Sequence, residues 1–339
     1  MIRGWFWLLL LLPLLLGACG TSRFEAKGWS GLALSEETLY VGTRDGQIIA
    51  LNPETGARTS SGLTYPDPFG QDDSLGVIFS SPLLIENTLY VATHESRKEH
   101  CEGHRNEGKT PCGRLYSLPI KGSIESSTRS NSWSFPRFGQ PGKGTMVGSP
   151  VIAEETLLIG SSDGVLYAVD VEDGSGKWEF KTGGKIWSSP AVLDGIVYIG
   201  SLDHNLYAVD LKSGYEIWHF ETGGAITGQP LVQNGRVYVG SFDRTLYALD
   251  AMTGAVNGEP IWEFPGDQWF WAGPASDGTT IYAATLGGTL YALDPDNGHS
   301  KWMKPAITSG EILVPPLVLP EDVVVVTEAG FLSVVRKKS

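Results

Sequence analysis

One pentapeptide in the sequence fits a pattern used for nucleophilic catalysis. Residues 160–164, Gly-Ser-Ser-Asp-Gly, match G-x-S-x-G, in which a serine at a strand-to-helix turn attacks an acyl group. The same register is occupied by Gly-Ser-Leu-Asp-His at 200–204 and by Gly-Ser-Phe-Asp-Arg at 240–244. Each copy lies between two apolar runs, which is typical of a β-hairpin. We therefore interpret the pentapeptide as a hairpin turn and predict no catalytic residue.

A second group of reactive side chains lies in a polar insertion at 94–113. It contains half of the six histidines and two of the three cysteines: His94, His100, His104, Cys101 and Cys112. The spacing matches no strong zinc-finger pattern, and thiols in exported proteins usually oxidise. We predict a disulfide between Cys101 and Cys112, with a metal site and free thiols as the alternatives. The insertion is either a recognition loop or a solvated flap.

The remaining cysteine closes an N-terminal secretory signal. Arg3 precedes an apolar run from Trp5 to Leu16, and Leu-Gly-Ala-Cys at 16–19 resembles a lipobox. The run is interrupted by proline and is shorter than the roughly 20 residues that a spanning helix needs. We predict a signal peptide at 1–19, lipid attachment at Cys19 and a short tether at 20–23. An ordinary cleaved signal peptide is the alternative.

The compartment and the class of partner follow from the anchor and the charge. Gly20, instead of aspartate after the lipidated cysteine, favours the periplasmic face of the outer membrane in a diderm, and otherwise the outer face of the plasma membrane. The formal net charge of −13 comes from 25 basic and 38 acidic residues, so the sequence does not indicate the basic surface that binds nucleic acid. We predict a monomeric body tethered to the membrane.

The elements that position these side chains are internal repeats. The segments 148–184, 188–224 and 228–264 align along their length, and weaker copies begin at Ser30, Ser80, Ala272 and Val314. Within one copy, apolar runs of four to six residues are separated by Asp and Gly turns, which indicates four antiparallel strands. Seven such units predict an all-β fold, a seven-bladed β-propeller that occupies 24–339.

The seventh unit stops after three predicted strands. Its fourth strand must come from elsewhere, and the segment around Phe24 is suitably placed to supply it. We therefore predict that an N-terminal strand closes the ring.

Five tryptophans share the fourth-strand position of successive units: Trp133, Trp178, Trp218, Trp262 and Trp302. With the preceding Ala-x-Asp and Gly, as in Ala208, Asp210, Gly214 and Trp218, they resemble the PQQ-type, or tryptophan-docking, propeller repeat. Large rings at this position would fill the gap between blades, so we predict a structural role for all five.

Among lipoproteins the pattern over residues 24–335 is most similar to the BamB family of outer-membrane assembly lipoproteins. The resemblance implies a binding scaffold, with loops between blades that contact a partner of the β-barrel assembly machine. It departs from that family in having Ser60 at the first docking position and seven units instead of eight. The adjacent cysteine pair and the calcium ligands of quinoprotein dehydrogenases have no counterpart, so we predict no cofactor and no PQQ.

The aromatic residues without a docking role cluster before the first strands. Trp29, Phe79, Trp187 and Trp271 share one repeat position, which we call the pre-strand position, and they form either a hydrophobic plug of the channel or a binding surface. Trp269 and Phe270 precede Trp271 and have no evident structural role. We predict these six residues as candidates for partner binding.

The function predicted from these observations is a lipid-anchored, non-catalytic scaffold that binds an envelope protein during cell-envelope or outer-membrane protein assembly. Two alternatives are a PQQ-dependent oxidoreductase, suggested only by the repeat type, and a sensor of carbohydrates or other small ligands, suggested by the exposed tryptophans.

Overall fold

The computed structural model describes residues 32–34, 38–43, 46–59, 75–94, 112–120, 132–137, 143–328 and 330–337. Several predictions fall outside these ranges: the signal peptide with Cys19, the tether 20–23, the closing strand around Phe24, Trp29 and most of the insertion, including Cys101. The described ranges contain β-strands and no α-helix, so none of their elements is a helix that could cross a bilayer.

The strands form seven antiparallel sheets. The first has β1 (Leu32–Leu34), β2 (Leu39–Gly42) and β3 (Ile48–Leu51), and the second has β4 (Leu83–Ile85), β5 (Thr88–Ala92), β6 (Leu115–Pro119) and β7 (Trp133–Phe135). The third has β8 (Val151–Ala153), β9 (Thr156–Gly160), β10 (Val165–Asp170) and β11 (Gly176–Lys181). The fourth has β12 (Ala191–Leu193), β13 (Ile196–Gly200), β14 (Asn205–Asp210) and β15 (Glu216–Glu221).

The fifth sheet has β16 (Leu231–Gln233), β17 (Arg236–Gly240), β18 (Thr245–Asp250) and β19 (Trp262–Pro265). The sixth has β20 (Ala275–Ser276), β21 (Ile281–Ala284), β22 (Thr289–Leu293) and β23 (Ala306–Ile307), and the seventh has β24 (Leu317–Val318), β25 (Asp322–Val326) and β26 (Leu332–Arg336). The predicted fold class, an all-β, seven-bladed propeller, is confirmed. In the described ranges the first and last blades have three strands each.

The chain divides into two compact units. One comprises residues 1–150 and 169–175, and the other comprises residues 151–168 and 176–339. The buried strands β9, β13 and β17 are apolar along nearly their whole length, as expected for the middle strands of sheets that are covered on both faces.

Turn residues fix the register of the hairpins. In the fourth sheet Leu193 pairs with Ile196, and the two residues between them, Asp194 and Gly195, both have positive φ angles of 49° and 76°. Two central residues with positive φ define the type I′ turn, whose twist matches that of the flanking strands. The sequence Asp-Gly therefore determines which apolar residues of β12 face those of β13.

The repeated Asp and Gly of the docking motif build a second turn. The Asp210 carboxylate accepts hydrogen bonds from the Ser213 backbone N–H at 2.8 Å and from its hydroxyl at 2.6 Å. Gly214 then adopts φ +72°, and a Cβ placed there would lie 2.7 Å from the Trp178 ring. Glycine is needed here both for its backbone conformation and for the close approach of the indole.

The five docking tryptophans have one hydrogen bond in common. The indole Nε1–H of Trp178 donates to the Leu211 carbonyl at 2.9 Å. The other indoles donate at 2.9–3.2 Å to carbonyls that follow the third strand of the next sheet: Trp133 to Val171, Trp218 to Ala251, Trp262 to Pro295 and Trp302 to Lys337. Each ring is thus linked to the next blade while its one polar group is satisfied.

A second set of side chains fills the core where one blade's last strand leads to the next blade's first. Ile186, Ile226, Phe270 and Ile312 occupy equivalent positions and are all fully buried. The Phe270 ring packs against Gly240 and Gly266, where an added Cβ would collide with it. The interpretation of Phe270 as a residue without a structural role is therefore wrong, because it replaces a core isoleucine.

Candidate functional site

Four aromatic side chains of the second compact unit form a continuous stack, which we call the aromatic stack: Trp269, Phe242, Trp271 and Trp187. The Phe242 ring lies nearly parallel to Trp269, with centroids 5.3 Å apart and planes inclined by 11°, and it also stacks on Trp271 at 5.5 Å and 28°. Trp271 in turn meets Trp187 at 6.4 Å in a tilted arrangement. Trp269, at the end of the stack, is 43% exposed.

Backbone hydrogen bonds hold the loops and hairpin turns that carry the stack. The Phe242 N–H donates to the Ala225 carbonyl at 2.9 Å, and the Leu286 N–H donates to the Trp269 carbonyl at 2.7 Å. Through these bonds the loop between two blades is tied to the turn between the second and third strands of a blade. The aromatic rings therefore project from a rigid scaffold, which lowers the entropy cost of binding through them.

Side-chain hydrogen bonds fix the other end of the stack. The Trp187 indole donates to the Ser162 hydroxyl at 3.2 Å, and the Thr227 hydroxyl donates to the Trp271 carbonyl at 2.9 Å. Thr227 occupies the pre-strand position between Trp187 and Trp271 in the sequence of blades. Its small side chain leaves room for the two indoles to meet.

The aromatic stack contains three of the six predicted partner-binding residues. Trp187, Trp269 and Trp271 come together, whereas Phe270 points into the core of the same unit. Phe79 lies in the first compact unit, where its ring meets the edge of His94 at a centroid distance of 5.6 Å. Desolvation by burial lowers the pKa of His94, and its Nδ1 is 3.1 Å from the Thr145 hydroxyl.

Sequence reasoning missed Phe242. It lies in the hairpin turn between β17 and β18, at the position occupied by Ser162, Leu202 and Leu286 in neighbouring blades. The signal was available, because an aromatic ring at a turn position that elsewhere holds serine or leucine has no role required by the repeat.

Two aspartates that are close in sequence to residues of the aromatic stack are held by hydrogen bonds. Asp243 accepts from the Gly223 N–H at 2.7 Å and from the Tyr247 hydroxyl at 2.8 Å. Asp267 accepts from the hydroxyls of Thr285 at 2.7 Å and Thr289 at 2.6 Å. Burial alone would raise the pKa of Asp267, but the hydrogen bonds outweigh it and hold the pKa below its ordinary value.

In the fourth and sixth blades, a carboxylate links the loop before the blade to a hairpin turn of the blade, but it is supplied by different segments. In the fourth blade, Asp203 of the hairpin turn accepts from the Gly183 N–H of the loop at 2.6 Å. In the sixth blade the equivalent hairpin residue is Gly287, and the equivalent loop residue is Asp267. One carboxylate therefore bridges loop and hairpin in both blades, although it comes from opposite sides of the contact.

The G-x-S-x-G pentapeptide forms a hairpin turn between β9 and β10. Ser162, the serine at the nucleophile position of the pattern, is half-buried, and its hydroxyl accepts a hydrogen bond from the Trp187 indole at 3.2 Å. The element that follows is a strand, not the helix on which a nucleophile elbow depends.

At the insertion, Cys112 is buried, and its predicted disulfide to Cys101 stays a prediction. In the described part of the chain no group of three or more His, Cys, Asp or Glu side chains could hold a metal ion.

A family model described as outer membrane protein assembly factor BamB matches residues 162–257 and 255–338, more than half of the chain. No curated protein matches at the sequence level.

Among solved structures, BamB from Moraxella catarrhalis superposes with a TM-score of 0.67 at 21% identity, over 94% of this chain and 85% of that one. The WD40 β-propeller domain of Doa1 superposes with a TM-score of 0.62 at 12% identity, over 94% and 95% of the two chains. The computationally designed Ika8 protein gives 0.56 at 16% identity, over 91% and 95%. At these identities the structural likeness shows the propeller fold.

Proposed function

Because the chain belongs to the family of the outer membrane protein assembly factor BamB, we propose that it is a non-catalytic scaffold in the assembly of outer-membrane proteins. The observation that carries this proposal is the family match over residues 162–338. That segment contains the whole aromatic stack.

The aromatic stack is the surface at which we place the partner. Tryptophan is enriched among residues that contribute most to protein–protein affinity, and preorganised rings lose little entropy on binding. Trp269 is exposed, whereas its neighbour Phe270 is buried, so the loop presents one ring outward and anchors itself with the next. The loop thus combines a binding group with a structural one.

Membrane attachment completes the proposal. Lipid on Cys19, after removal of a signal peptide at 1–19, would hold the propeller body at the periplasmic face of an outer membrane or, in an organism without one, at the outer face of the plasma membrane. The tether 20–23 would keep the body close to the bilayer, and a strand near Phe24 would complete the seventh blade. A disulfide between Cys101 and Cys112 would stabilise the insertion by about 3 kcal/mol. The body would be monomeric and would need no cofactor.

Site-specific crosslinking tests the function. Trp269 is replaced by the photoreactive p-benzoylphenylalanine in the full chain, and membranes are irradiated before purification. The matched control places the same group at Tyr215, whose side chain is 77% exposed on a turn between β14 and β15. We expect one adduct from position 269, identified by mass spectrometry as a component of the barrel-assembly machinery, and none of that mass from position 215.

Two results would contradict the proposal. One is the absence of any barrel-assembly component among the adducts from position 269. The other is equal crosslinking of such a component from positions 269 and 215, because the aromatic stack would then not be the surface that contacts it.

A further inference from the structure

We propose that the aromatic stack binds an arginine side chain presented by an extended segment of the partner protein. This inference rests on the proposed function, because it names the chemistry of the group that the scaffold recognises. It starts from the end of the stack. One face of the Trp269 indole is covered by the nearly parallel Phe242 ring, yet the side chain remains 43% exposed.

An open indole face is the best aromatic surface for a cation. The face carries the negative part of the ring quadrupole, and a cation within about 6 Å of the ring centroid is attracted to it. Guanidinium suits this face better than ammonium, because it is planar, stacks flat on an aromatic ring and is more weakly hydrated. Phe242, which itself stacks on Trp271, holds Trp269 in place.

Two negative charges close in sequence to the stack favour a cation as well. Asp243 follows Phe242 directly, and Asp267 is two residues before Trp269. Hydrogen bonds fix both carboxylates, and they hold the pKa of Asp267 below its ordinary value, so its negative charge persists at neutral pH. The chain as a whole has a net charge of −13, which would steer a basic segment toward it.

Arg244 is the one basic residue of the hairpin turn that carries Phe242, and it opposes this attraction. Its φ of +74° places it in the left-handed region, and the equivalent residues of neighbouring blades are Gly164, His204 and Gly288. Replacing Arg244 with glycine therefore suits the backbone and removes a positive charge from the turn. The variant distinguishes a cationic ligand from an anionic one, because it should increase the affinity for a cation and decrease the affinity for an anion.

The test uses four synthetic nine-residue peptides that differ only in a central Arg, Lys, Leu or Glu. Each is titrated into the full-length protein, with the indole Nε1–H resonances of ¹⁵N-tryptophan as the readout. We expect the arginine peptide to bind most tightly and the glutamate peptide least. Trp269→Leu should weaken binding of the arginine peptide by ~3–10-fold and abolish its preference over the leucine peptide.

Two further variants complete the design. Arg244→Gly should tighten binding of the arginine peptide by ~2–5-fold at low salt, because a like charge is removed. Tyr215→Leu, which removes an exposed ring elsewhere, should leave all four affinities unchanged.

The inference is overturned if the glutamate peptide binds as tightly as the arginine peptide, if Arg244→Gly weakens arginine binding, or if none of the peptides binds. Its failure is distinguishable from failure of the proposed function. A crosslink from position 269 to a barrel-assembly component, without a preference for arginine, would sustain the function and reject the cation. Selective arginine binding without such a crosslink would sustain the inferred arginine site and reject the proposed function.

Discussion

Replacement of Phe270 by alanine tests how the loop between the fifth and sixth blades is built. Phe270 is fully buried against Gly240, Gly266 and Tyr291, with the Tyr291 ring centroid 6.5 Å away. Truncating a fully buried phenylalanine removes its transfer free energy and leaves a cavity, which together cost about 3–5 kcal/mol. Two glycines line the site and cannot extend into the space, so we expect a loss within that range.

The assay is urea denaturation followed by far-ultraviolet circular dichroism, with two matched variants. Phe270→Ile introduces the residue that Ile186, Ile226 and Ile312 supply at the equivalent positions, and it should cost clearly less than alanine. Trp269→Ala removes a larger but exposed ring, so it should cost about 1 kcal/mol or less. A loss below about 1 kcal/mol for Phe270→Ala, or equal losses for Phe270→Ala and Trp269→Ala, would refute the assignment of Phe270 to the core.

Three other predictions follow from single contacts. Hydrogen bonds from Lys337, at 3.0 Å, and from neighbouring hydroxyls outweigh burial and hold the pKa of Asp277 well below its usual range. The contribution of Asp277 to stability is therefore present above about pH 4 and is lost as the pH falls toward the depressed pKa. Between pH 5 and pH 2 the free energy of unfolding should therefore fall less for Asp277→Asn than for the wild type. Gly214→Ala should destabilise the protein more than Gly195→Ala, since both have positive φ but only Gly214 meets a tryptophan ring; equal thermal shifts would contradict this. Asp267→Gly should cost about 1–3 kcal/mol of unfolding free energy, and adding Gly287→Asp should restore part of it by recreating the arrangement of the fourth blade; no recovery in urea unfolding would argue against the exchange of carboxylates.

Much of the fold could be predicted because the repeat carries the same physical requirements seven times. In the fourth blade the apolar runs correspond to strands at 196–200 and 205–210, and the first of these strands begins directly after the Asp194-Gly195 turn, whose φ angles are both positive. The seventh blade was predicted to provide three strands, and the described residues contain three.

The error at Phe270 came from considering three neighbouring aromatics together. Within the repeat, Phe270 aligns with Ile186 and Ile226, both of which are apolar, and that alignment alone would have placed it in the core. Trp269 is exposed and Phe270 is buried, so the two residues have opposite environments although they are adjacent. The type of residue was informative only in combination with its position in the repeat.

The stacking of the aromatic rings could not be predicted from the repeat, because it depends on differences between blades. Phe242 replaces a serine or leucine, and Thr227 is small where Trp187 and Trp271 are large. Those differences bring together rings from three loops and turns, and the centroid of each ring in the stack is within 6.4 Å of the next. The repeat pattern describes each blade separately. It does not predict contacts between side chains of different blades when the repeat itself does not require them.

The repeats therefore separate structural from functional positions within one chain. Where every blade needs the same physical property, as at the buried position of Ile186, Ile226, Phe270 and Ile312, the residue is explained by packing. Where one blade departs from its neighbours and the departure places an aromatic ring at the surface, packing explains neither the residue nor its exposure. Trp269 satisfies both conditions, since Lys185 and Ala225 occupy its position in the neighbouring loops, and a surface ring without a structural requirement is best explained by a partner that covers it.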